Sequence, residues 1–289
     1  MFRRSFTLIE LLVVIAIVGL LSTVAVVAMN PNREKARLVG ARSFAAQIDR
    51  FAGSESVGSW NFDECSGTSL SDNSGYNNNG TMSSAPVWSS NTPGGTGCAL
   101  NFDGVDDYIN LGTAINTILP SGSSDRTVSA WIYLTSCTGG LKHIFHYGNY
   151  ASNNTWGLAL LCVSSTEIRM GAHEWLIGAG DFTGNVPMDK WVHLAITLSG
   201  GGTKTHYIDG HNVGVLTRIP NTTPTYSAKI GTRISPAEYF PGMIDDVRVY
   251  AQALTAREIG KMYAEGLKTR LYSMSAQRQE KKNSCIIND

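Results

Sequence analysis

An apolar run extends from Phe6 to Met29 with Glu10 as its only charge. No other feature constrains the chain as much, because about 20 apolar residues make a helix long enough to cross ~30 Å of hydrocarbon. Arg3 and Arg4 precede the run. Basic residues stay on the cytoplasmic side, so the sequence predicts Met1–Ser5 inside and everything after Met29 outside. A secretory signal would have a shorter apolar core and a small-residue cleavage site after it, which Ser22-Thr23-Val24-Ala25 supplies poorly. Placing a carboxylate in lipid costs about 2.5–3.5 kcal/mol on insertion scales, so Glu10 requires a partner or a task.

The segment Phe6-Thr7-Leu8-Ile9-Glu10-Leu11-Leu12-Val13-Val14 resembles the N-terminus of type IV prepilins and pseudopilins. The resemblance implies cleavage by a prepilin peptidase between Ser5 and Phe6, methylation of the new amine, and Glu10 as fifth residue of the mature chain. Ser5 departs from the Gly usual before the cut. A carboxylate among apolar helices can be neutralised by the N-terminal amine of an adjacent subunit, which gives Glu10 a register-setting role in filament assembly. The implied partners are the peptidase, the membrane and other pilin or pseudopilin subunits. The implied location is the bacterial inner (cytoplasmic) membrane for the precursor, then an extracellular filament or the cell surface.

Beyond Met29, Pro31 would bend a continuous helix. Leu38, Ala41, Phe44, Ala45, Ile48, Phe51 and Ala52 then recur at steps of three and four between charged residues, an amphipathic helical pattern. The expected organisation is a leader over 1–5, a pilin-like helix over 6–52 with 6–29 in the membrane, and a Gly/Ser linker over 53–58. A β domain follows over 59–266, and a polar tail over 267–289.

From Trp60 to about Tyr250, short apolar and aromatic runs alternate with clusters of Gly, Ser, Asn, Asp and Thr, the pattern of an all-β sandwich or barrel. Arg126–Leu134 and Trp191–Leu198 alternate with period two. Thr205–Ile208 and His211–Val215 flank Asp209-Gly210, which supplies the positive φ of a type I′ hairpin turn. Thr255-Ala256-Arg257-Glu258 is a capping box opening a helix toward Tyr263 or a little beyond.

Several segments occur in a telling order: Trp60–Glu64, Ser71–Thr81, Ala99–Tyr108, Lys190–His193, Tyr207–Gly210, Gly242–Tyr250 and Ala253–Thr255. This succession resembles the laminin-G-like domains of bacterial surface proteins. The implied fold is a mainly β, concanavalin-type jelly-roll sandwich carried on the long N-terminal transmembrane and amphipathic helix. The resemblance also implies a structural calcium ion between an early Asp/Asn loop and a late Asp pair. Calcium takes six to eight oxygen ligands. Asp72 with Asn77, Asn78 and Gly80 of the Asn-rich turn, Asp103, and Asp245 with Asp246 are the expected set. Asp and Asn also populate turns for purely local reasons.

An exported chain permits disulfides. Cys65 and Cys98 flank the Asn-rich loop, and Cys137 and Cys162 end two candidate neighbouring strands, so two bridges would leave Cys285 of the five cysteines unpaired. Sequence does not fix the connectivity. The 23 basic and 23 acidic residues balance, which argues against nucleic acid as a main partner.

Catalytic motifs are scarce. Hydrolases of this fold commonly carry Glu-x-Asp-x-Glu on one strand, and none of Glu64, Glu167, Glu174 or Glu238 sits in such a pattern. His173-Glu174 opens like a zinc-protease motif, but Ile177 stands where the second His belongs. The expectation is therefore a non-enzyme that binds a surface glycan. Its contacts would come from the aromatic and amide mixture of His143–Trp156 and His173–Trp175, with Tyr147, Asn154, Trp156 and Trp175 singled out. At period two, half of those aromatics belong to the core. The expected function is a minor pilin or pseudopilin displaying a ligand-binding jelly roll for adhesion. The alternatives are a purely structural pseudopilin and a surface glycoside hydrolase.

Overall fold

A computed structural model of the chain describes residues 56–151, 153–174 and 181–267. The expected pilin-like helix over 6–52, with Ser5, Phe6 and Glu10, lies outside the described residues, as do Trp175 and Cys285. Among the described residues no helix is long and apolar enough to cross a membrane.

In chain order the strands are β1 (Ser56–Trp60), β2 (Ser69–Leu70), β3 (Gly80–Ser83), β4 (Val87–Ser89), β5 (Ala99–Asp103), β6 (Tyr108–Asn110), β7 (Arg126–Leu134) and β8 (Gly140–Gly148). They continue as β9 (Thr155–Cys162), β10 (Ile168–Ala172), β11 (Phe182–Thr183), β12 (Trp191–Ser199), β13 (Thr203–Ile208), β14 (His211–Thr217), β15 (Tyr226–Ile230) and β16 (Pro241–Tyr250). Among the described residues an α-helix, α1, spans 256–267, and a short 3-10 helix spans Ala114–Thr117. Two eight-stranded antiparallel sheets result. The first runs β14-β13-β12-β7-β16-β5-β4, with β1 also paired to β16, and the second runs β11-β10-β9-β8-β15-β6-β3-β2.

Strand alternation builds the core between them. Val128, Ala130, Ile132 and Leu134 of β7 and Val192, Leu194, Ile196 and Leu198 of β12 point inward, toward Trp156, Leu158 and Leu160 of β9 and Ile168 and Met170 of β10. This is the two-sheet jelly-roll sandwich that the sequence predicts, since successive side chains of a strand face opposite ways. Each buried Val, Leu, Ile or Met among them contributes about 1.5–3 kcal/mol of burial.

The outer face of the first sheet is covered by α1. Ile259 and Met262, three residues apart, pack on Ala195, Tyr207 and Tyr250. Tyr263 stacks on Trp131 at 5.6 Å between ring centroids. The capping box forms as read: the Thr255 amide donates to Glu258 Oε2 at 2.7 Å, and the Glu258 amide to Thr255 Oγ1 at 3.4 Å. The β13–β14 turn has φ of +50° at Asp209 and +77° at Gly210, as a type I′ turn requires.

Two disulfides close, Cys65–Cys98 and Cys137–Cys162, with Cα separations of 5.3 and 5.5 Å.

Candidate functional site

Two of the expected glycan contacts are interior residues. Tyr147 and Trp156 are both 0% exposed, because β8 and β9 place them on the inner, period-two face. The Tyr147 hydroxyl is satisfied inside, whereas the Trp156 ring is met by cations over its face and its Nε1 has no hydrogen-bond partner. Arg126 Nη1 donates to the Tyr147 hydroxyl at 2.8 Å, that hydroxyl donates to the Pro120 carbonyl, and the Arg126 and Lys204 cations lie 5.2 and 5.6 Å from the Trp156 ring centroid. Asn154 is half-buried in the β8–β9 loop, where its Oδ1 accepts from Asn221 Nδ2 at 3.4 Å.

The expected calcium ligands do not converge either. Asp72 is spent on tying its loop to β1: Oδ1 accepts the amides of Ser59 and Ser74, and Oδ2 that of Asn78. Asn78 gives its carbonyl to Trp60 Nε1, and Asn77 holds a turn at φ +60°. Gly80 is glycine for packing, since a Cβ there would meet Ile109 Cγ2 at 2.4 Å. Asp103 Oδ1 accepts the Val105 and Asp106 amides in a local turn, and Asp246 Oδ1 accepts from Arg248 Nε at 2.6 Å. Of the expected carboxylates only Asp103 belongs to a group of three, with Asp106 and Asp107. The set therefore does not fit one calcium shell, and local turn chemistry accounts for most of it.

The structure instead assembles two other clusters. One lies on the outer face of the second sheet, where His143, His146 and His173 bring one ring nitrogen each within 4.8 Å of the others. Residues three apart on a regular strand face opposite ways. A bulge in β8 between His143 and Phe145 cancels that, so His143 pairs with Ala159 and His146 with Gly157 on a common face. His173 arrives from β10, its amide donating to the Gly157 carbonyl at 3.0 Å. Gly157 thus lies between His146 and His173, and a Cβ there would meet His146 Cδ2 at 2.7 Å. His143 Nε2 is 2.9 Å from His173 Nδ1, which is 3.3 Å from His146 Nε2. The β15–β16 connection folds over the group: its Ile234 amide donates to His146 Nδ1 at 3.2 Å, and Glu238 Oε2 stands 3.5 Å from His143 Nδ1. Burial, then mutual repulsion and Arg233, hold the His143 imidazole well below its usual range. Burial also raises the Glu238 carboxyl. The His143–Glu238 contact is therefore between two groups driven toward neutrality rather than an ion pair.

The second cluster sits at a bulge in β16 between Asp245 and Arg248, where Asp246 takes φ +46°. Burial, and then the neighbouring Asp246, raise Asp245 to about 8. Asp63, raised by partial burial, also senses Asp246. A carboxyl kept protonated near neutrality beside ionisable ones is the electrostatic arrangement of an acid–base pair.

Sequence reasoning named these residues in other roles, Asp245 and Asp246 as calcium ligands and the histidine segments as glycan contacts, and missed the groupings themselves. The signals were present, as His143 and His146 with a late His173, and as the adjacent Asp245-Asp246, but each needed a bulge that no local pattern announces.

Comparison with known proteins gives these features a context. Residues 103–260 match the concanavalin A-like lectin/glucanases superfamily, and residues 1–26 the prokaryotic N-terminal methylation motif. No curated protein sequence matches the chain. Among solved structures, domain 4 of AbnA, a GH43 extracellular arabinanase from Geobacillus stearothermophilus in complex with arabinotriose, is 21% identical with a TM-score of 0.54, over 72% of this chain and 98% of that one. Trypanosoma rangeli sialidase in complex with 2,3-difluorosialic acid is 15% identical with a TM-score of 0.51, over 72% of this chain and 33% of that one. The binding domain of botulinum neurotoxin serotype G is 12% identical with a TM-score of 0.52, over 72% of this chain and 50% of that one. These identities establish a shared fold. They also correct the expectation of a non-enzyme, because the same fold occurs within an arabinanase and a sialidase, and a missing Glu-x-Asp-x-Glu strand excludes only one catalytic layout. Behind a prepilin-type N-terminal motif, the chain belongs to the concanavalin A-like lectin/glucanases superfamily.

Proposed function

We propose that this chain is a pilin-like subunit whose N-terminal segment is processed between Ser5 and Phe6, assembles with other subunits through Glu10, and presents a glycan-recognising jelly roll at the cell surface. The observation that carries the reading is the pairing in one chain of a methylation motif over 1–26 with a lectin/glucanase-superfamily domain over 103–260. A filament or membrane anchor makes weak glycan contacts effective through multivalency. The similar arabinanase domain was solved with arabinotriose, which supports the choice of polysaccharide as ligand class.

A second reading, glycan hydrolysis, is favoured by Asp245. Its raised carboxyl beside Asp246 and Asp63 would serve as proton donor, with an ionised neighbour as base or nucleophile.

Detergent-solubilised full-length chain on a glycan array, followed by mass spectrometry of the supernatant, tests both. Retention on at least one plant or bacterial polysaccharide supports recognition, and silence across the array overturns it. Release of oligosaccharide that stops with Asp245→Asn would establish the second reading.

A further inference from the structure

We propose that His143, His146 and His173 bind one divalent transition-metal ion of the zinc type, with Glu238 orienting His143 from behind. The expected metal set of this chain did not include these residues, and the inference is independent of glycan recognition.

The spacing is that of a ligand set. Ligands about 2.0–2.1 Å from a tetrahedral zinc ion lie about 3.3–3.4 Å from one another. His173 Nδ1 stands 2.9 Å from His143 Nε2 and 3.3 Å from His146 Nε2. The ring planes meet at steep angles for two of the three pairs, 76° for His143 with His146 and 72° for His143 with His173. Lone pairs therefore converge on a point rather than the rings stacking. Gly157 leaves the space that the His146 ring occupies.

In one tautomeric arrangement of the rings the hydrogen-bond inventory is incomplete. A neutral imidazole has one N–H and one lone pair. If His143 gives its Nε2 proton to His173, its buried Nδ1 has no donor. That nitrogen and Glu238 Oε2, 3.5 Å apart, form no hydrogen bond of normal geometry, and the Glu238 carbonyl is the other acceptor within reach of the ring. Coordination of a cation by Nε2 moves the ring proton to Nδ1, where Glu238 can accept it. This is the carboxylate–histidine–metal arrangement that fixes a ligand's tautomer. Glu238 is held for this at φ +58°, a conformation that non-glycine residues seldom adopt. Its connection is braced by Thr232 Oγ1, which donates to the Ala237 carbonyl and accepts its amide, and by the Phe240 amide on the Gly231 carbonyl. Nitrogen ligands select a zinc-like ion over calcium or magnesium.

One contact opposes the ion. His146 Nδ1 accepts the Ile234 amide at 3.2 Å, and ligation through Nε2 requires that nitrogen to carry the proton. Metal uptake therefore opens this contact and shifts Ile234, which provides a readout apart from binding itself.

The test uses full-length chain in detergent, stripped with chelator and dialysed. Zinc content is measured by mass spectrometry, and Co²⁺ titration is followed by visible absorption. One equivalent of zinc, and intense cobalt bands of a four-coordinate nitrogen site, are expected. His146→Gln should lose both. Glu238→Gln should keep the stoichiometry with affinity weaker by about 10–100-fold. Hydrogen exchange at Ile234 should change on zinc addition in the parent and not in His146→Gln. His173→Asn is a second ligand variant should His146→Gln not fold. Binding undiminished in folded ligand variants, as ions held at Asp103, Asp106 and Asp107 would give, overturns the proposal. So does parent protein that takes up less than a tenth of an equivalent.

Discussion

Arg126 and Tyr147 meet inside the sandwich, the guanidinium donating to the phenol at 2.8 Å with both side chains wholly buried. Among the described residues no carboxylate forms an ion pair with this cation. Its remaining N–H groups reach Thr222 Oγ1 and the carbonyls of Ser121, Gly122 and Ser124, so every one of its five donors is engaged. The phenol ionises only at about 12, because burial outweighs the stabilising Arg126 charge. Tyr147→Phe should therefore cost about 1–3 kcal/mol, the penalty for withdrawing one partner from a buried charged donor. Urea unfolding measures this. A loss below about 0.5 kcal/mol, the range of surface substitutions, would mean that water replaces the phenol.

Lys204 and Glu174 form a second interior polar contact, an ion pair with both side chains fully enclosed. Desolvation raises the Glu174 carboxyl, and Lys204 opposes that rise. Breaking such a pair leaves a charge in low dielectric. Lys204→Met should cost about 3–5 kcal/mol, whereas Lys204→Met with Glu174→Leu should recover most of the loss. Thermal unfolding of the two variants side by side decides the matter, and equal destabilisation would contradict it.

Two buried histidines away from the triad impose an acid limit. Burial is the main cause that lowers both His193 and His206 to about 4. Each imidazole is neutral in the fold and free to protonate once unfolded. The unfolded chain therefore binds more protons below about pH 6.5. Their contribution is complete above that value and is lost as pH falls toward about 4, at about 1.4 kcal/mol per pH unit for each group. Asp245 acts in the opposite sense. Its raised carboxyl favours the fold fully below the ordinary carboxylate range, and that contribution is lost as pH rises through about 8. Denaturant midpoints should fall between pH 6.5 and 5 in the parent and less steeply in His206→Asn. Asp245→Asn should gain stability relative to the parent between pH 6 and 8, about the interval in which the native carboxyl stays protonated and the unfolded one is ionised. A flat acid profile would refute the neutral assignment.

The N-terminal proposal has a direct chemical check. Mass spectrometry of membrane-extracted chain should find methylated Phe6 as first residue. An intact Met1 in cells that process their other prepilins would remove the pilin reading. Glu10→Val should still insert into the membrane and assemble poorly, which sheared-filament yield would show.

Period-two alternation made β7 and β12 legible, with boundaries within a residue of those observed, and the Asp209-Gly210 turn and the capping box each follow from one local rule. These features depend on neighbours in sequence. The histidine cluster does not: it needs the bulge after His143, the missing side chain at Gly157, and His173 delivered from another strand. Tyr147 and Trp156 mark the opposite error. Period two sends half of the aromatics in those segments to the core, and only the strand register of β8 and β9 shows that Tyr147 and Trp156 belong to that half. The Asp and Asn residues read as calcium ligands show how local turn bonding and ligation produce the same residue types, which only the destination of each carboxylate oxygen separates.

The chain enters the sandwich through β1, which pairs with β16 from Ser56 beside Tyr250 to Trp60 beside Val247. Tension applied from the N-terminal side therefore falls first on that single ladder, whose bonds can be peeled in succession. Peeling halts at Cys65, because its sulfur is joined to Cys98 immediately before β5. Load then crosses the covalent bridge into β5, which is held between β4 and β16, and the residues between the two cysteines are never stretched. A domain attached in this way can yield by the length of one strand under a pull and still keep the rest of its sandwich closed.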